Sequence, residues 1–410
     1  MKLFARIWSA AAAAVLCVSL CACSKEELSE LLSIKNLDSG SGSAVSDMAP
    51  TGDIKPEVPE YEEADVSLVA VGDNLIHDSV YKDMAVSGGY DFTPAYEHIA
   101  EYISAADIAV VNQEAPMDGN KAPSGYPCFN TPTEAGDALV AAGFDVINQA
   151  NNHAMDSGKS SVYETIKFWK QHEQENGTIM VGMYEDAEDR ARVRFLEKNG
   201  MKIGFLSYTY GLNGYTLPED NPDLVSLIDR DKIREEVEAV NEACDFTVVI
   251  MHWGVEYQTV ENEEQDELAE YLTELGAGLI IGHHPHVCQP AKWIESDNGN
   301  RAFCVFSLGN FVSAQKQPAT MLEGMLQVTL HRDTEGNITV EHPGVMPLIN
   351  QFSGWANYAV YPLAEYTDDM ASRHTVSNYG SMSVSRMNGL AEEIYGDFLM
   401  DAVVPTTYCK

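Results

Sequence analysis

Short apolar runs, each ended by polar or charged residues, dominate the chain from Asp65 to Asn310. They are, in order, VSLVAVGDN, IAVVNQE, FDVINQANNH, KIGFLSYTYG, FTVVIMHWG, GLIIGHHPH and AFCVFSLGN. Their apolar residues are continuous instead of alternating with polar ones, which is typical of strands covered on both faces of a sheet. The pattern therefore predicts a series of buried strands.

Helix signals lie between these runs. Residues 131–134, TPTE, have the sequence of a capping box with proline at the first helical position, and Gly143 is placed to end that helix. A second helix is predicted over residues 263–275, with Gly276 as its stop. Strands and helices that alternate in this way predict an α/β fold.

The chain changes character after Asn310. The stretch MLEGMLQVTLHRDTEGNITVEHPGVMPL predicts two strands joined by a turn, a β-hairpin. One further helix is predicted near residues 390–403. We therefore assign residues 64–349 to one α/β domain and residues 350–410 to a C-terminal extension.

The N-terminal segment has the pattern of a processed leader. Residues 1–23 begin with basic residues, continue with an apolar stretch that is short for a membrane span, and end in Leu-Cys-Ala-Cys. That ending has the form of a bacterial lipobox and predicts a lipoprotein signal peptide, with Cys23 as a lipid anchor on the extracytoplasmic face of the cell membrane. An ordinary secretory signal with a chance cysteine is the alternative. Residues 24–63 are rich in Ser, Gly, Pro and acid, which predicts a disordered linker.

The composition is strongly acidic. The chain has 25 Lys and Arg against 63 Asp and Glu, a formal net charge of −38. Nucleic acids and anionic lipid surfaces are repelled by such a chain at long range, so no nucleic-acid partner is expected. A polyanionic partner would require a local cationic device such as a metal ion.

The strand ends carry the candidate chemistry. In α/β sheets ligands bind beyond the carboxyl ends of the strands, so the polar residues there are expected to share one site. A turn, a helix cap or a buried core histidine explains each residue singly, but their recurrence at successive strand ends favours a metal site. The mixed carboxylate, imidazole and amide set suits Mn, Fe or Zn. The residues are Asp73, Glu114, Asn152, His153, His252, His283, His284 and His286, with Asn310 as an outlier.

Six ordered motifs give the chain a family resemblance. VAVGDNLIH, VVNQEAPM, NQANNHAMDSG, IMHWGVEY, IGHHPHVCQP and FSLGNFV resemble the bacterial capsule-synthesis (CapA-type, poly-γ-glutamate capsule) proteins, a family similar to calcineurin-like metallophosphoesterases. The resemblance implies a four-layer αββα sandwich of two mixed β-sheets flanked by helices. It also implies anchoring at the cell envelope.

The resemblance assigns roles to the strand-end residues. It implies one or two divalent metal ions bound by Asp73, Glu114, Asn152, His252, His284 and His286. His153 corresponds to the histidine that protonates a leaving group, and the implied chemistry is two-metal hydrolysis. Residues expected to support the ligands are His77, Asn112 and Asn310.

The first motif departs from the phosphoesterase pattern. Those enzymes carry Asp-x-His, but Leu75 stands two residues after Asp73, and the nearest histidine is His77. Three explanations stay open: His77 reaches back, Glu114 compensates, or only one metal is bound tightly.

The GHHPH stretch raises the question of which histidines are ligands. Pro285 disfavours the helical region for the preceding residue, so His284 is predicted to be extended. Side chains two residues apart in an extended chain share a face. The prediction therefore pairs His284 with His286 and turns His283 away.

Three functions are compatible with these features. The first, which we favour, is a capsule-synthesis lipoprotein with metal-dependent hydrolase or transferase activity on a phosphoester or an anionic polymer such as poly-γ-glutamate. The second is a non-catalytic component that binds or exports the capsule polymer. The third is a surface lipoprotein whose fold has lost its metal.

Overall fold

The computed structural model describes residues 61–405. The predicted signal peptide, Cys23 and nearly all of the predicted linker lie outside the described residues. The strands are β1 Ala64–Asn74, β2 Ala85–Val86, β3 Gly89–Tyr90, β4 Ile108–Gln113, β5 Val146–Asn148, β6 Ile179–Val181, β7 Phe195–Lys198, β8 Met201–Thr209, β9 Phe246–His252, β10 Leu279–His283, β11 Cys288–Glu295, β12 Arg301–Leu308, β13 Asn310–Val312, β14 Leu322–Arg332, β15 Ile338–Ser353 and β16 Ala356–Pro362.

The helices are α1 Asp78–Asp83, α2 Thr93–Tyr96, α3 Ala100–Ser104, α4 Thr133–Ala142, α5 Lys159–Asn176, α6 Ala187–Ala191, α7 Arg230–Ala243, α8 Glu263–Glu274, α9 Asp368–Arg373 and α10 Val384–Tyr395. Short 3₁₀ turns cover Pro318–Met321, Leu363–Glu365, Thr375–Asn378 and Gly396–Phe398. Within residues 61–405, none of the helices combines the length and apolar character needed to span a membrane.

Two mixed sheets form the centre of the molecule. The larger has the order β16-β15-β14-β1-β4-β5-β6, with β13 paired to β1, and the smaller has the order β11-β12-β10-β9-β8-β7. In the larger sheet β1, β4, β5 and β6 are parallel, whereas β14, β15 and β16 run antiparallel. The smaller sheet has parallel central strands and antiparallel edge strands.

The buried side chains divide the molecule into four layers. Leu68 of β1 and Phe205 of β8 belong to a core between the sheets. Val69 of β1 packs with Trp169 of α5 on the outer face of the large sheet, and Val249 of β9 packs in a third core with residues of α7 and α8. Each side chain of this size contributes about 1.5–3 kcal/mol when fully buried. Both faces of each sheet are therefore covered, which explains the continuous apolar runs and confirms the predicted αββα sandwich.

The two helices predicted between the runs are present, but the capping of the first one was predicted wrongly. α4 begins at Thr133 with Pro132 before it, and its N-terminus has no side-chain cap. Thr131 is instead buried, and its hydroxyl accepts a hydrogen bond from Gln113 at 3.2 Å. The end at Gly143, with φ of 108°, agrees with the prediction.

The hairpin predicted after Met321 is confirmed by the antiparallel pairing of β14 with β15. β15 continues to Ser353 and β16 pairs with it, so the chain beyond residue 350 adds to the large sheet. α10 begins and ends earlier than the helix predicted near residues 390–403, because Ser383 caps its N-terminus by accepting a hydrogen bond from the Arg386 amide.

Glu323 on β14 is a fully buried carboxyl group. Neither of its oxygens has a hydrogen-bond partner within residues 61–405. Burial raises its pKa well above 4.5. Glu323 therefore takes up a proton on folding, and the free energy of unfolding is expected to fall as pH rises above the ordinary carboxyl pKa.

Glu323→Gln removes this titration. We expect the wild type to lose stability relative to Glu323→Gln as pH rises above the ordinary carboxyl pKa, by at most about 1.4 kcal/mol per pH unit. Urea denaturation of both proteins in chelator at several pH values measures the difference. Parallel stability curves would show that Glu323 does not change its protonation on folding.

Candidate metal centre

The ends of strands from both sheets meet at one buried site. Asp73 lies near the end of β1 and Glu114 directly follows β4, both in the large sheet, while His252 ends β9 in the small sheet. Two groups of side chains there can hold a metal ion, because the ligand atoms within each group lie within 4.8 Å of one another. They are Asp73 with Glu114 and His252, and Glu114 with His284 and His286.

Asp73 is held by a dense set of donors. Its Oδ1 accepts a hydrogen bond from Asn112 Nδ2 at 2.8 Å and lies 3.1 Å from His283 Nδ1. Its Oδ2 lies 3.1 Å from His286 Nδ1. Burial acts to raise the pKa of Asp73, but the hydrogen bonds and charges of His283 and His286 outweigh it and hold the pKa well below its ordinary value. Asp73 is therefore an ionised carboxylate, the form that binds metals.

Glu114 belongs to both groups, and its surroundings shift its pKa in the direction opposite to that of Asp73. It is fully buried, and within residues 61–405 neither oxygen has a hydrogen-bond partner. Burial, followed by the charge of Asp73, raises its pKa well above the ordinary value. Its Oε1 lies 3.6 Å from His252 Nε2 and 3.8 Å from His286 Nε2. A buried carboxylate without partners is costly unless a cation neutralises it, so Glu114 fits a shared metal ligand.

His252 and His284 add neutral imidazoles to the ligand set. His252 Nε2 lies 2.9 Å from Asn152 Oδ1, which brings the predicted amide ligand to the same point. Burial lowers the pKa of His252 well below its ordinary value and lowers the pKa of His284 to about 3. Within residues 61–405, the Nδ1 atoms of His252 and His284 have no hydrogen-bond partner. Neutral imidazoles with free nitrogens are metal-binding groups.

The conformation of the GHHPH stretch was predicted wrongly. His284 has a φ of 98° and His286 a φ of 58°, so neither residue is extended. His283 ends β10 and directs Nδ1 to Asp73, so it is not turned away from the site. The backbone bends at both positions and lets all three imidazoles approach the centre. Proline favours extended backbone for the residue before it, and His284 departs from that preference.

His153 stands beside the centre and not within either metal group. Its Nδ1 donates a hydrogen bond to Asp156 Oδ2 at 2.6 Å, which fixes the ring and its tautomer. Asp156 was not assigned from the sequence, although it lies three residues after His153, and that short spacing was the available signal. Asn213 was also missed, since its contact with Asn152 at 3.2 Å joins residues far apart in the chain.

The three residues expected to support the ligands have different surroundings. Asn112 bridges Asp73 to Asn148, whose Nδ2 donates to Asn112 Oδ1 at 2.9 Å. Asn310 donates through Nδ2 to the His286 carbonyl at 3.2 Å. His77 lies outside both metal groups, and its Nδ1 accepts the Ala314 amide at 3.2 Å. Burial lowers the pKa of His77 to about 4.

The centre opens into a cavity of about 500 Å³. His77, His153 and His286 line its inner part, and Tyr126 and Tyr257 expose large fractions of their rings around it. A substrate in this cavity can therefore contact His153 and the metal-group residue His286 together.

Comparisons with known proteins place the chain among capsule proteins. The family model described as "Bacterial capsule synthesis protein PGA_cap" matches residues 67–315, more than half of the 410 residues. PGA biosynthesis protein CapA of Bacillus subtilis (strain 168) is 29% identical over 290 residues, covering 70% of this chain and 73% of the relative. Capsule biosynthesis protein CapA of Bacillus anthracis is 28% identical over 284 residues, covering 67% and 66%.

A solved structure is also similar at a distance. Haemophilus influenzae NAD nucleotidase (NadN) has a TM-score of 0.45 and 10% identity, covering 84% of this chain and 65% of that chain. The chain thus spans slightly less than two thirds of the lengths of the B. anthracis and H. influenzae proteins.

Proposed function

Because the chain belongs to the bacterial capsule synthesis protein family, we propose that it is a capsule-synthesis protein of the cell envelope with metal-dependent hydrolase or transferase activity. Its proposed substrate is a phosphoester or an anionic capsule polymer such as poly-γ-glutamate. The names of the two CapA relatives support the link to capsule synthesis.

The observation that carries the enzymatic part is the environment of Glu114. This carboxylate is buried, lacks hydrogen-bond partners within residues 61–405, and belongs to both candidate metal groups. The donor set of carboxylates, imidazoles and the Asn152 amide fits Mn, Fe or Zn. A divalent ion bound there would act as a Lewis acid and neutralise negative charge that develops at the reacting phosphorus or carbonyl.

The side chains of the protein supply proton transfer and orientation. Asp156 accepts a hydrogen bond from Nδ1 of His153, and its carboxylate would stabilise the imidazolium form of that ring, whose Nε2–H would give the proton to a leaving group. Asn112 holds one oxygen of Asp73 and so orients the other. The ring of Tyr210, centred 4.5 Å from the ring of His284, shields that imidazole on one side.

Metal content and turnover test the proposal together. We expect full-length protein purified in detergent to contain about one or two divalent ions per chain. It should hydrolyse a generic phosphodiester, bis(4-nitrophenyl) phosphate, lose that activity in EDTA, and regain it with Mn²⁺. If the purified protein holds no divalent ion and binds none when Mn²⁺ is added, the metal centre is contradicted. Bound metal without turnover on phosphoesters or poly-γ-glutamate would favour the non-catalytic, polymer-binding alternative.

The proposed location is the extracytoplasmic face of the cell membrane, with lipid attached at Cys23. The Leu-Cys-Ala-Cys sequence at residues 20–23 supports this proposal. We expect Cys23→Ala to lose labelling by a radioactive fatty acid and to leave the membrane fraction, because the variant lacks the residue that carries the lipid anchor. Cys21→Ala is the matched control and should stay labelled. Equal labelling of both variants would place the lipid elsewhere.

A further inference from the structure

Lys316 lies beside two aromatic rings at the cavity that contains His77, His153 and His286. Its ammonium group lies 5.7 Å from the ring centroid of Trp355 and 5.7 Å from that of Tyr379. Lys316 is exposed and lines the cavity together with Trp355. The two rings restrict where the ammonium can lie through cation–π attraction and leave it accessible to solvent.

The charge of Lys316 is available for a ligand. Lys316 is the one lysine or arginine among the cavity-lining residues of the described chain, and no salt bridge engages it there. Two carboxylates also line the cavity: Asp78 is paired with Lys82 at 2.5 Å, and Glu256 is exposed. In a chain of net charge −38, an uncommitted ammonium beside the candidate centre is a specific attraction for an anion.

The backbone that presents Trp355 is strained. Gly354 and Trp355 both have a φ of 62° in the turn between β15 and β16, a conformation of tight hairpin turns that favours Asn and Gly. A bulky residue with positive φ is an outlier, and such outliers concentrate at functional sites. The turn is held by Thr375, whose hydroxyl accepts the Trp355 amide at 3.3 Å. The turn therefore holds the indole beside the cavity.

Lys316 is also fixed relative to the metal ligands. It lies four residues after β13, whose Asn310 pairs in parallel register with Asp73. Asn310 donates to Gln315 Oε1 at 3.2 Å, and the Ala314 amide donates to His77. The loop that carries Lys316 is thus tied to the strand that carries Asp73.

We propose that Lys316, held beside Trp355 and Tyr379, is a positioning residue that binds an anionic group of the substrate away from the reacting bond. The site would therefore favour substrates that carry a second anionic group, as polymers with repeated carboxylate or phosphate groups do. This inference rests on the proposed function and narrows its substrate class. It gives the segment after residue 350, through Trp355 and Tyr379, a role in substrate selection.

Binding of labelled oligomers to the full-length protein in detergent tests the proposal. The probes are a γ-linked glutamate oligomer, the same oligomer with its free carboxylates converted to amides, and a linear polyphosphate. Lys316→Gln removes the charge and Lys316→Arg keeps it. Lys167→Gln is the matched control, since Lys167 is an exposed lysine of α5 paired with Glu164.

We expect Lys316→Gln to weaken binding of an anionic probe by about three- to fivefold, as for the loss of an exposed ion pair. Binding of the amide probe should not change. Lys316→Arg should stay within about twofold of the wild type, because it retains the charge and can stack on the rings. Lys167→Gln should behave as the wild type. If Lys316→Gln loses affinity for only one of the two anionic probes, that probe identifies whether Lys316 binds a carboxylate or a phosphate.

Three results would overturn the inference: equal affinity of Lys316→Gln and wild type for both anionic probes, an equal loss on the amide probe, or no binding of either anionic probe by the wild type. Metal content and phosphodiesterase activity, measured on the same samples, separate this from failure of the proposed function. We expect Lys316→Gln to retain its metal, because Lys316 lies outside both candidate metal groups. If the wild type shows no turnover but Lys316→Gln still binds the anionic probes more weakly, the proposed enzymatic activity is overturned and the proposed anion-binding role of Lys316 is kept.

Discussion

Glu114→Gln is expected to remove the metal from the centre and to reduce turnover to background. Glu114 is shared by both candidate metal groups, so the substitution removes a charged ligand from each. Loss of a residue that merely orients a ligand already costs about 10–100-fold in metal affinity, and loss of a shared ligand should cost more. Elemental analysis of the purified variant, with activity measured at increasing Mn²⁺, gives both quantities.

Glu323→Gln is the matched control for this experiment. Both glutamates are fully buried, and neither has a hydrogen-bond partner for its oxygens within residues 61–405. Only Glu114 belongs to a candidate metal group. Glu323→Gln should therefore retain metal and activity. If Glu114→Gln holds as much metal as the wild type, the centre described above is not where the ion binds.

His153→Ala is expected to reduce turnover by about 10²–10⁴-fold while metal content stays at the wild-type level. His153 lies outside both metal groups but lines the cavity beside His286. The loss should be larger for an alkyl phosphodiester than for bis(4-nitrophenyl) phosphate, because a nitrophenolate leaves readily without a proton. Single-turnover rates on the two substrates measure this difference.

Asp156→Asn distinguishes the orientation of the His153 ring from proton transfer by that ring. An asparagine can still contact Nδ1 of His153, but it does not hold the same tautomer as the carboxylate that now lies 2.6 Å away. We expect a smaller loss than in His153→Ala, with the same dependence on the leaving group. If His153→Ala slows both substrates equally, His153 contributes to binding or structure and not to proton donation.

The apolar runs predicted the strands well because both faces of each sheet are covered. The position of Asp73 and Glu114 followed from this, since parallel strands present their carboxyl ends at one edge. The prediction failed where the backbone left regular structure. His284 and His286 adopt positive φ values that no periodicity indicates. Pro285 favours an extended conformation for His284, and the tertiary structure overrides that local preference.

Contacts between segments far apart in the chain could not be predicted from the sequence either. Asn213 reaches Asn152 across sixty-one residues. Trp355 and Tyr379 meet Lys316 only because β16 and the 3₁₀ turn at Thr375–Asn378 bring the C-terminal segment back to the cavity. Neither aromatic residue follows a strand-end pattern, so nothing in its neighbourhood marks it as part of a site. Asp156 was within reach of the sequence, since its spacing from His153 is local.

The two sheets contribute different ligand types to each candidate metal group. Asp73 and Glu114 come from the large sheet, whereas His252, His284 and His286 come from the small one. A cation bound by carboxylates of the large sheet and imidazoles of the small sheet would crosslink the two sheets. Ligand that binds only the folded state stabilises it by about 2.7 kcal/mol at a free concentration one hundred times its dissociation constant. Protease resistance of this protein should therefore increase with the concentration of free metal ion.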